Sequence, residues 1–305
     1  MKIFAVVNPV SNGGKTASNW PKFFDYFTGF GLRIEYKYTE YRGHAEKIAA
    51  DALKNNYKYI MVVGGDGTVN EVVNAVYKDD KLINNDFKLI VFAQGTGSDL
   101  IRSLNISNKP EEMIKIIKRK NTMRIDLLKV DFLDYSGLQK SRYFVNASDC
   151  GFGAEAAARV NSSGTFFDGK LTYLKAVFLS LINYSNKHAA VFVDGEKFYS
   201  GLLNTAVAAN GKYFGGGIKI APNSDLRSGS IEFLLLKNFS RSELIFNLIK
   251  AYRGTHLSHP KVESFSAEKI EIISEEKMNL EVDGENIGTT PAVFSILKSK
   301  LPVLI

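Results

Sequence analysis

Apolar residues recur along the first 120 positions in two alternating rhythms. Short β-branched and aromatic runs, KIFAVV (2–7), RIEYKYTEY (33–41), YKYIMVV (57–63) and FKLIVFA (87–93), read as strands. Positions 15–29, 43–55 and 68–78 between them carry helical spacing, and a further helix is expected at 110–120, opening on Pro110. Strands alternating with helices predict a parallel sheet wrapped on both faces. From about 124 the rhythm changes. RIDLLKVDFL, SRYFVNAS, AAVFVDGEKF, LLNTAVAAN, SIEFLLLK, KIEIIS and MNLEVDG are strands joined by turns, interrupted by expected helices at 153–161, 170–184 and 240–252. That pattern predicts an antiparallel sandwich or barrel. The expected fold class is therefore α/β plus all-β. A doubly wound, mostly parallel α/β domain spans 1–123, an antiparallel β-sandwich domain spans 124–291, and the apolar segment 292–305 returns to the first domain. No internal repeat or low-complexity tract interrupts this order.

A length of 305 residues agrees with two domains, and a hydrophobic content of 45% suffices for two cores. The formal net charge of +7 invites anionic partners such as phosphates or an acidic membrane face. The densest basic run, KIIKRK (115–120), reads as the solvated end of a helix, so no nucleic-acid partner is expected. The single Cys150 excludes an internal disulfide and suits a reducing compartment. No signal peptide precedes the first strand. The longest apolar stretch, 171–184, carries a lysine and is too short to span a bilayer. A cytoplasmic protein is expected.

The chemistry starts at GGDGTVNEVVNAV (64–76). A buried strand ends in glycines 64, 65 and 67, which let a ligand approach the main chain, and a helix follows. Thr68 and Glu71 fit a capping box. Such a turn seats phosphate, and Asp66 makes sense there if Mg²⁺ bridges its carboxylate to phosphate oxygens. Taken alone, the same loop also reads as a tight turn, with Asp66 a solvated turn residue and Glu71 a cap alone. Three more strand ends carry comparable residues: NPVSNGGK (8–15), where Lys15 is within reach of a phosphate, Thr39, and AQGTGSD (93–99). Open α/β sheets bind ligands outside this edge.

NPVSNGGK, GGDGTVNEVVNAV and GTGSD in this order resemble the catalytic domain of the diacylglycerol kinase family, and within it the small soluble bacterial lipid kinases related to sphingosine and ceramide kinases. The resemblance continues through GFGAE (151–155), NGKYFGGGIKIAP (210–222) and VDGE (282–285). It implies an NAD-kinase-like first domain, an active site in the cleft between the domains, and transfer of the ATP γ-phosphate to a lipid hydroxyl, diacylglycerol or a related alcohol. The nucleotide would lie against Asn8, Ser11, Gly13 and Gly14, against Thr39 and Thr96, and against Gly65, Asp66, Gly67, Thr68, Val69, Asn70 and Glu71. Asp66 would hold the catalytic Mg²⁺. Glu285 would be the proton acceptor, with Asp283 its neighbour or rival and Asp126 next in line. VDGE occurs twice, at 193–196 and 282–285, and only the resemblance separates the copies.

Two positions depart from the family pattern. Ser98 stands where Asn is usual, and Ser228 stands where an aspartate supports a structural Mg²⁺, leaving Asp225, Ser228 and Ser230 as a doubtful ligand set. A kinase for a soluble alcohol and a non-catalytic nucleotide- or lipid-binding regulator are the rival readings. Phe166, Phe167 and Tyr173 with the apolar run 171–184 favour a greasy acceptor. The implied partners are a lipid substrate and, transiently, the inner face of the membrane; a homodimer is left open.

Overall fold

The computed structural model describes residues 1–95, 97–162, 180 and 184–305. Thr96, Phe166, Phe167, Tyr173 and all of the helix expected at 170–184 except residues 180 and 184 lie outside them. The chain forms two compact units, Met1–Asp126 with Ser299–Ile305, and Leu127–Lys298.

In the first unit, β1 (Lys2–Val7), β2 (Arg33–Tyr38), β3 (Tyr59–Gly64) and β6 (Lys88–Ala93) form a parallel sheet in the order β2-β1-β3-β6. The helices between them are α1 (Lys15–Gly29), α2 (His44–Lys54) and α3 (Asp66–Val76). After α3 comes a short hairpin, β4 (Tyr77–Lys78) and β5 (Lys81–Leu82); α4 (Asp99–Leu104) and α5 (Pro110–Arg119) follow β6. The central strands are buried on both faces, which is why they read as unbroken apolar runs. Ala5, Val7, Met61, Val63, Ile90 and Phe92 pack on Trp20 and Phe27 of α1 and Met113 and Ile117 of α5. Burying each such side chain contributes about 1.5–3 kcal/mol.

The second unit takes the rest of β7 (Thr122–Leu133), then β8 (Gln139–Phe144), β9 (Ala147–Gly151), α6 (Phe152–Ser162), β10 (Lys187–Val193), β11 (Glu196–Ala209) and β12 (Ile231–Lys237). Helix α7 (Arg241–Arg253) precedes β13 (Val262–Ala267), β14 (Lys269–Ser274), β15 (Asn279–Val282) and β16 (Glu285–Leu304). Neighbouring strands in this unit, from the β7–β8 pair to the β15–β16 pair, run antiparallel. Side-chain alternation divides each apolar strand between two cores. Ile231, Phe233 and Leu235 of β12, with Ala206 and Ala208 of β11, enter the sandwich core. Leu234 and Leu236, with Val207 and Ala209, enter a second core covered by α6 and by Leu244 and Ala251 of α7. This double use explains why SIEFLLLK is apolar on both faces.

The closing segment divides. Ala292–Ser295 pair with β14 in the second unit, and the return to the first unit begins at Ser299, whose amide donates to Asp126 Oδ1 at 2.6 Å. Val303 pairs in parallel with Leu89 of β6. The returning part is thus shorter than the 292–305 expected from sequence.

Candidate active site

At the carboxyl edge of the parallel sheet, Asn8 follows β1. Its Nδ2 donates to Thr68 Oγ1 at 3.1 Å, tying the first loop to α3. Ser11 Oγ donates to the Asn8 carbonyl and shares a 2.6 Å bond with Thr16 Oγ1. Asn12, Gly13 and Gly14 all have positive φ, and a Cβ on either glycine would meet nothing within 4 Å. This turn delivers the chain into α1 with Gly14 at the cap and no side-chain cap bond. Helix α3 likewise opens on Gly65 without a side-chain cap. The first-turn amides of α1 already donate to the carbonyls of Pro9, Ser11 and Asn12, so it is the N-terminus of α3, beside its glycine loop, that offers a positive dipole end to a phosphate. A third loop closes on the second: a Cβ at Gly95 would stand 2.6 Å from the Gly65 Cα, so the two loops touch main chain to main chain. Thr39 sits at the end of β2, its amide bonded to the Val7 carbonyl at 2.8 Å.

The capping box expected of Thr68 and Glu71 does not form. Helix α3 starts two residues earlier, at Asp66. Thr68 is taken by Asn8, and Glu71 accepts from Gly43 N at 2.8 Å and Ala45 N at 2.9 Å, capping α2 across 28 and 26 residues of sequence. Glu71 therefore holds two helices together, and both its oxygens already accept amides. Asp66 is also more tightly placed than a solvated turn residue. Its oxygens accept from Asp99 N at 3.1 Å and Leu100 N at 3.2 Å, which pins the start of α4. Burial raises its carboxyl above the usual range, against the lowering pull of those amides. One carboxylate with free lone pairs beside a phosphate seat suits Mg²⁺, which takes most of its remaining ligands from phosphates and water.

The loop 225–230 does not suit a metal. Arg227 N donates to Asp225 Oδ1 at 2.9 Å, Ser228 N to the Asp225 carbonyl at 3.0 Å, and Ser228 Oγ to the Ser230 carbonyl at 2.9 Å. The serine closes the turn with its own hydroxyl. Among the described residues no group of three or more His, Cys, Asp or Glu is placed to hold an ion.

In the second unit the two VDGE copies are both two-residue hairpins, Val193 opposite Glu196 and Val282 opposite Glu285, with positive φ at both central residues. Their surroundings differ. Asp194 is exposed and accepts Lys269 N. Asp283 is buried, and its carboxylate accepts the amides of Val145 at 3.2 Å, Asn146 at 3.1 Å and Ala147 at 3.2 Å. That is a structural clasp on the 145–147 turn, and it makes Asp283 a poor candidate to move a proton. Glu285, half-buried at the start of β16, has the better claim.

Sequence reasoning missed four residues. Asp149 on β9 stands opposite Glu281 on β15, both buried. Asp149 accepts from Ala154 N at 3.0 Å and Thr205 Oγ1 at 3.1 Å, and burial pushes its carboxyl up to about 7. Burial also pushes Glu281 well up, helped by the charges of Asp149 and Asp283, while Gly284 N donates to it at 2.7 Å. Alternation with Leu280 and Val282 assigns Glu281 to solvent, but α6 packs on β9 and β15 where Asp149 and Glu281 stand opposite each other. Asp149 left one trace, a carboxylate in an otherwise small, apolar strand. It lines a cavity of about 60 Å³ with Phe152, Val207, Phe214, Leu236 and Leu248 among its apolar walls. His256 and Asn247 line the same cavity. His256 Nε2 lies 2.9 Å from the Ile220 carbonyl, which only accepts, so Nε2 carries the proton and Nδ1 is an acceptor. Burial lowers its pKa and keeps it neutral. His256 Nδ1 and Asn247 Oδ1 are both buried without a partner among the described residues. The cavity is apolar and short of a hydrogen-bond donor.

Residues 2–130 match the diacylglycerol kinase catalytic domain, and residues 147–305 match the YegS C-terminal NAD kinase beta sandwich-like domain. The diacylglycerol kinase of Staphylococcus carnosus (strain TM300) is 28% identical over 298 residues, covering 98% of this chain and 93% of that protein. That of Staphylococcus haemolyticus (strain JCSC1435) is 31% identical over 277 residues, 87% of this chain and 76% of its own. A solved diacylglycerol kinase structure from Bacillus anthracis str. Sterne superposes with a TM-score of 0.71 at 20% identity, covering 99% of this chain and 96% of that one. An NAD kinase from Archaeoglobus fulgidus in complex with ATP superposes with a TM-score of 0.52 at 14% identity, covering 99% and 92%. These likenesses bear out an NAD-kinase-like domain followed by a β-sandwich-like domain.

Proposed function

This chain belongs to the diacylglycerol kinase family, and on that premise we propose that it transfers the γ-phosphate of ATP to the hydroxyl of diacylglycerol or a closely related lipid alcohol. The observation that carries a lipid rather than a soluble acceptor is the cavity of the second unit. Apolar side chains make up most of its wall, Phe152, Val207, Phe214, Leu236 and Leu248 among them, which suits the acyl body of a lipid rather than a polar alcohol. A cavity of about 60 Å³ takes only part of an acyl tail, so a full chain requires its walls to give.

The nucleotide reading rests on the first unit. The open N-terminus of α3 at the Gly65 turn offers its dipole to phosphate oxygens, and the Gly13–Gly14 turn, with no side chains in the way, lets them approach the main chain, doing with backbone what a lysine-bearing loop does elsewhere. Asp66, its position fixed by the two α4 amides, is the residue that would hold Mg²⁺. Bound Mg²⁺ supplies charge neutralisation at the transferred phosphoryl oxygens. Glu285 accepts the proton of the attacking hydroxyl, and Asp283 keeps the turn that carries it in shape. The protein works at the inner face of the membrane.

The test is transfer of labelled γ-phosphate from ATP to a panel of dispersed lipid alcohols and soluble alcohols, NAD among them. Label in the lipid fraction is expected. Label confined to soluble alcohols would replace the acceptor, and no label anywhere would favour a regulator.

A further inference from the structure

Helix α7 has two working faces. It starts with a complete capping box, Ser240 Oγ accepting Glu243 N while Glu243 returns to Ser240 N at 2.8 Å, and it stops at Gly254 in the left-handed region. Leu244, Asn247, Leu248 and Ala251 point inward and line the cavity. A helix on a globular surface ordinarily presents polar residues on its other side. This one presents Ile245, Phe246 and Ile249, which are 40%, 68% and 57% exposed. Ile249 is i+4 to Ile245 and i+3 to Phe246, so it joins the three large apolar side chains into a single patch.

Charge identifies what fits there. Arg241 and Lys250 stand on either side of the stripe and Arg253 at its end; all three are exposed, and their side chains have no ion-pair or hydrogen-bond partner among the described residues. The helix has one acid, Glu243, and it is already engaged by Ser240 and by Lys261 at 2.8 Å. An apolar stripe with a basic rim matches the boundary of an anionic bilayer, where the apolar side chains enter the acyl region and the cations meet lipid phosphates.

We propose that α7 is the membrane-docking element of this protein, its outer face seated on an anionic lipid surface while its inner face walls the cavity. The proposal rests on the lipid-acceptor reading for its purpose but is tested apart from it. The probe is vesicles of phosphatidylcholine, alone or mixed with phosphatidylglycerol, without diacylglycerol or ATP. A lipid kinase that docks elsewhere passes the transfer panel and fails here, and a soluble-alcohol kinase fails the panel whatever happens here.

The full chain is sedimented with these vesicles as wild type and as three variants. Wild type is expected to bind the anionic vesicles and to release them as salt rises. Arg241→Gln/Lys250→Gln/Arg253→Gln is expected to bind about a hundredfold more weakly, from the loss of three surface cations. Phe246→Ser/Ile249→Ser is expected to lose about tenfold or more. Leu138→Ser, at an apolar residue 60% exposed between β7 and β8, is expected to bind as wild type. Since every substituted side chain is exposed, melting temperatures should stay together, which separates lost binding from lost folding. Wild-type binding by Phe246→Ser/Ile249→Ser, or an equal loss in Leu138→Ser, overturns the assignment. So does a dimer, seen by sedimentation velocity, that the α7 variants dissociate while vesicle binding stays at the wild-type level: the face would then belong to a second copy.

Discussion

Asp283 and Asp194 occupy the same position of the same kind of hairpin, yet only Asp283 is clasped by three backbone amides. Each turn offers a carboxylate two residues on, Glu285 or Glu196. If Glu285 is the proton acceptor, Glu285→Gln lowers turnover by about a hundredfold or more with little change in melting temperature, whereas Glu196→Gln leaves turnover alone. Asp283→Asn, by contrast, leaves buried amides without a full set of acceptors and is expected to cost about 1–3 kcal/mol of stability. Equal small effects on turnover at both glutamates would leave two structural hairpins, with Asp126 as the next carboxylate to test. Asp149 makes a separate prediction in pH. Burial lifts its carboxyl from 3.8 in the open chain to about 7 in the folded one. The folded state therefore holds that proton more tightly, and the stability tied to it is present below about pH 4 and lost as pH rises to about 7. Thermal unfolding at pH 5 and pH 8 should show Asp149→Asn gaining on wild type at the higher pH. A gap between the two proteins that does not change with pH would contradict this.

At the scale of elements, Asp66 joins the β3–α3 loop to the N-terminus of α4. Asp66→Asn keeps one oxygen for those amides, so a loss of about 1 kcal/mol is expected from the weakened cap. A much larger loss is expected in phosphate transfer, of order a hundredfold or more, where the full charge is needed. If transfer falls only as far as unfolding accounts for, Asp66 is a structural pin and the metal is held elsewhere. The elements themselves were legible in the sequence. Strand and helix alternation over residues 1–120 and the two hairpin signals report local preferences, and these survived into the fold. Contacts distant in sequence did not announce themselves. Glu71 looked like a local cap because its spacing from Thr68 is right, but the amides of Gly43 and Ala45 compete for it and win. Alternation leaves Glu281 to solvent because it cannot see that α6 packs on β9 and β15. Unbroken apolarity in β12 signalled burial on both faces without saying that α7 covers one of them.

For the whole molecule, the two units divide the work. The first, built around a parallel sheet, offers glycine turns and the open N-terminus of α3, which suit a phosphorylated ligand. The second, an antiparallel sandwich, offers an apolar cavity lined by unpartnered acceptors and a helix whose outer stripe is apolar with a basic rim. A formal net charge of +7 suits both an anionic nucleotide and an anionic surface. None of these features selects the lipid headgroup, because a mostly apolar cavity takes the body of any lipid alcohol. The most direct measurement is therefore of the product. The purified protein is incubated with ATP, Mg²⁺ and dispersed diacylglycerol as the sole lipid, and the lipid extract is identified by mass spectrometry. The expected result is phosphatidic acid accumulating with ADP, and its loss in Glu285→Gln. ATP consumed with the diacylglycerol unchanged, or a phosphorylated soluble alcohol in its place, would contradict a kinase of lipid alcohols.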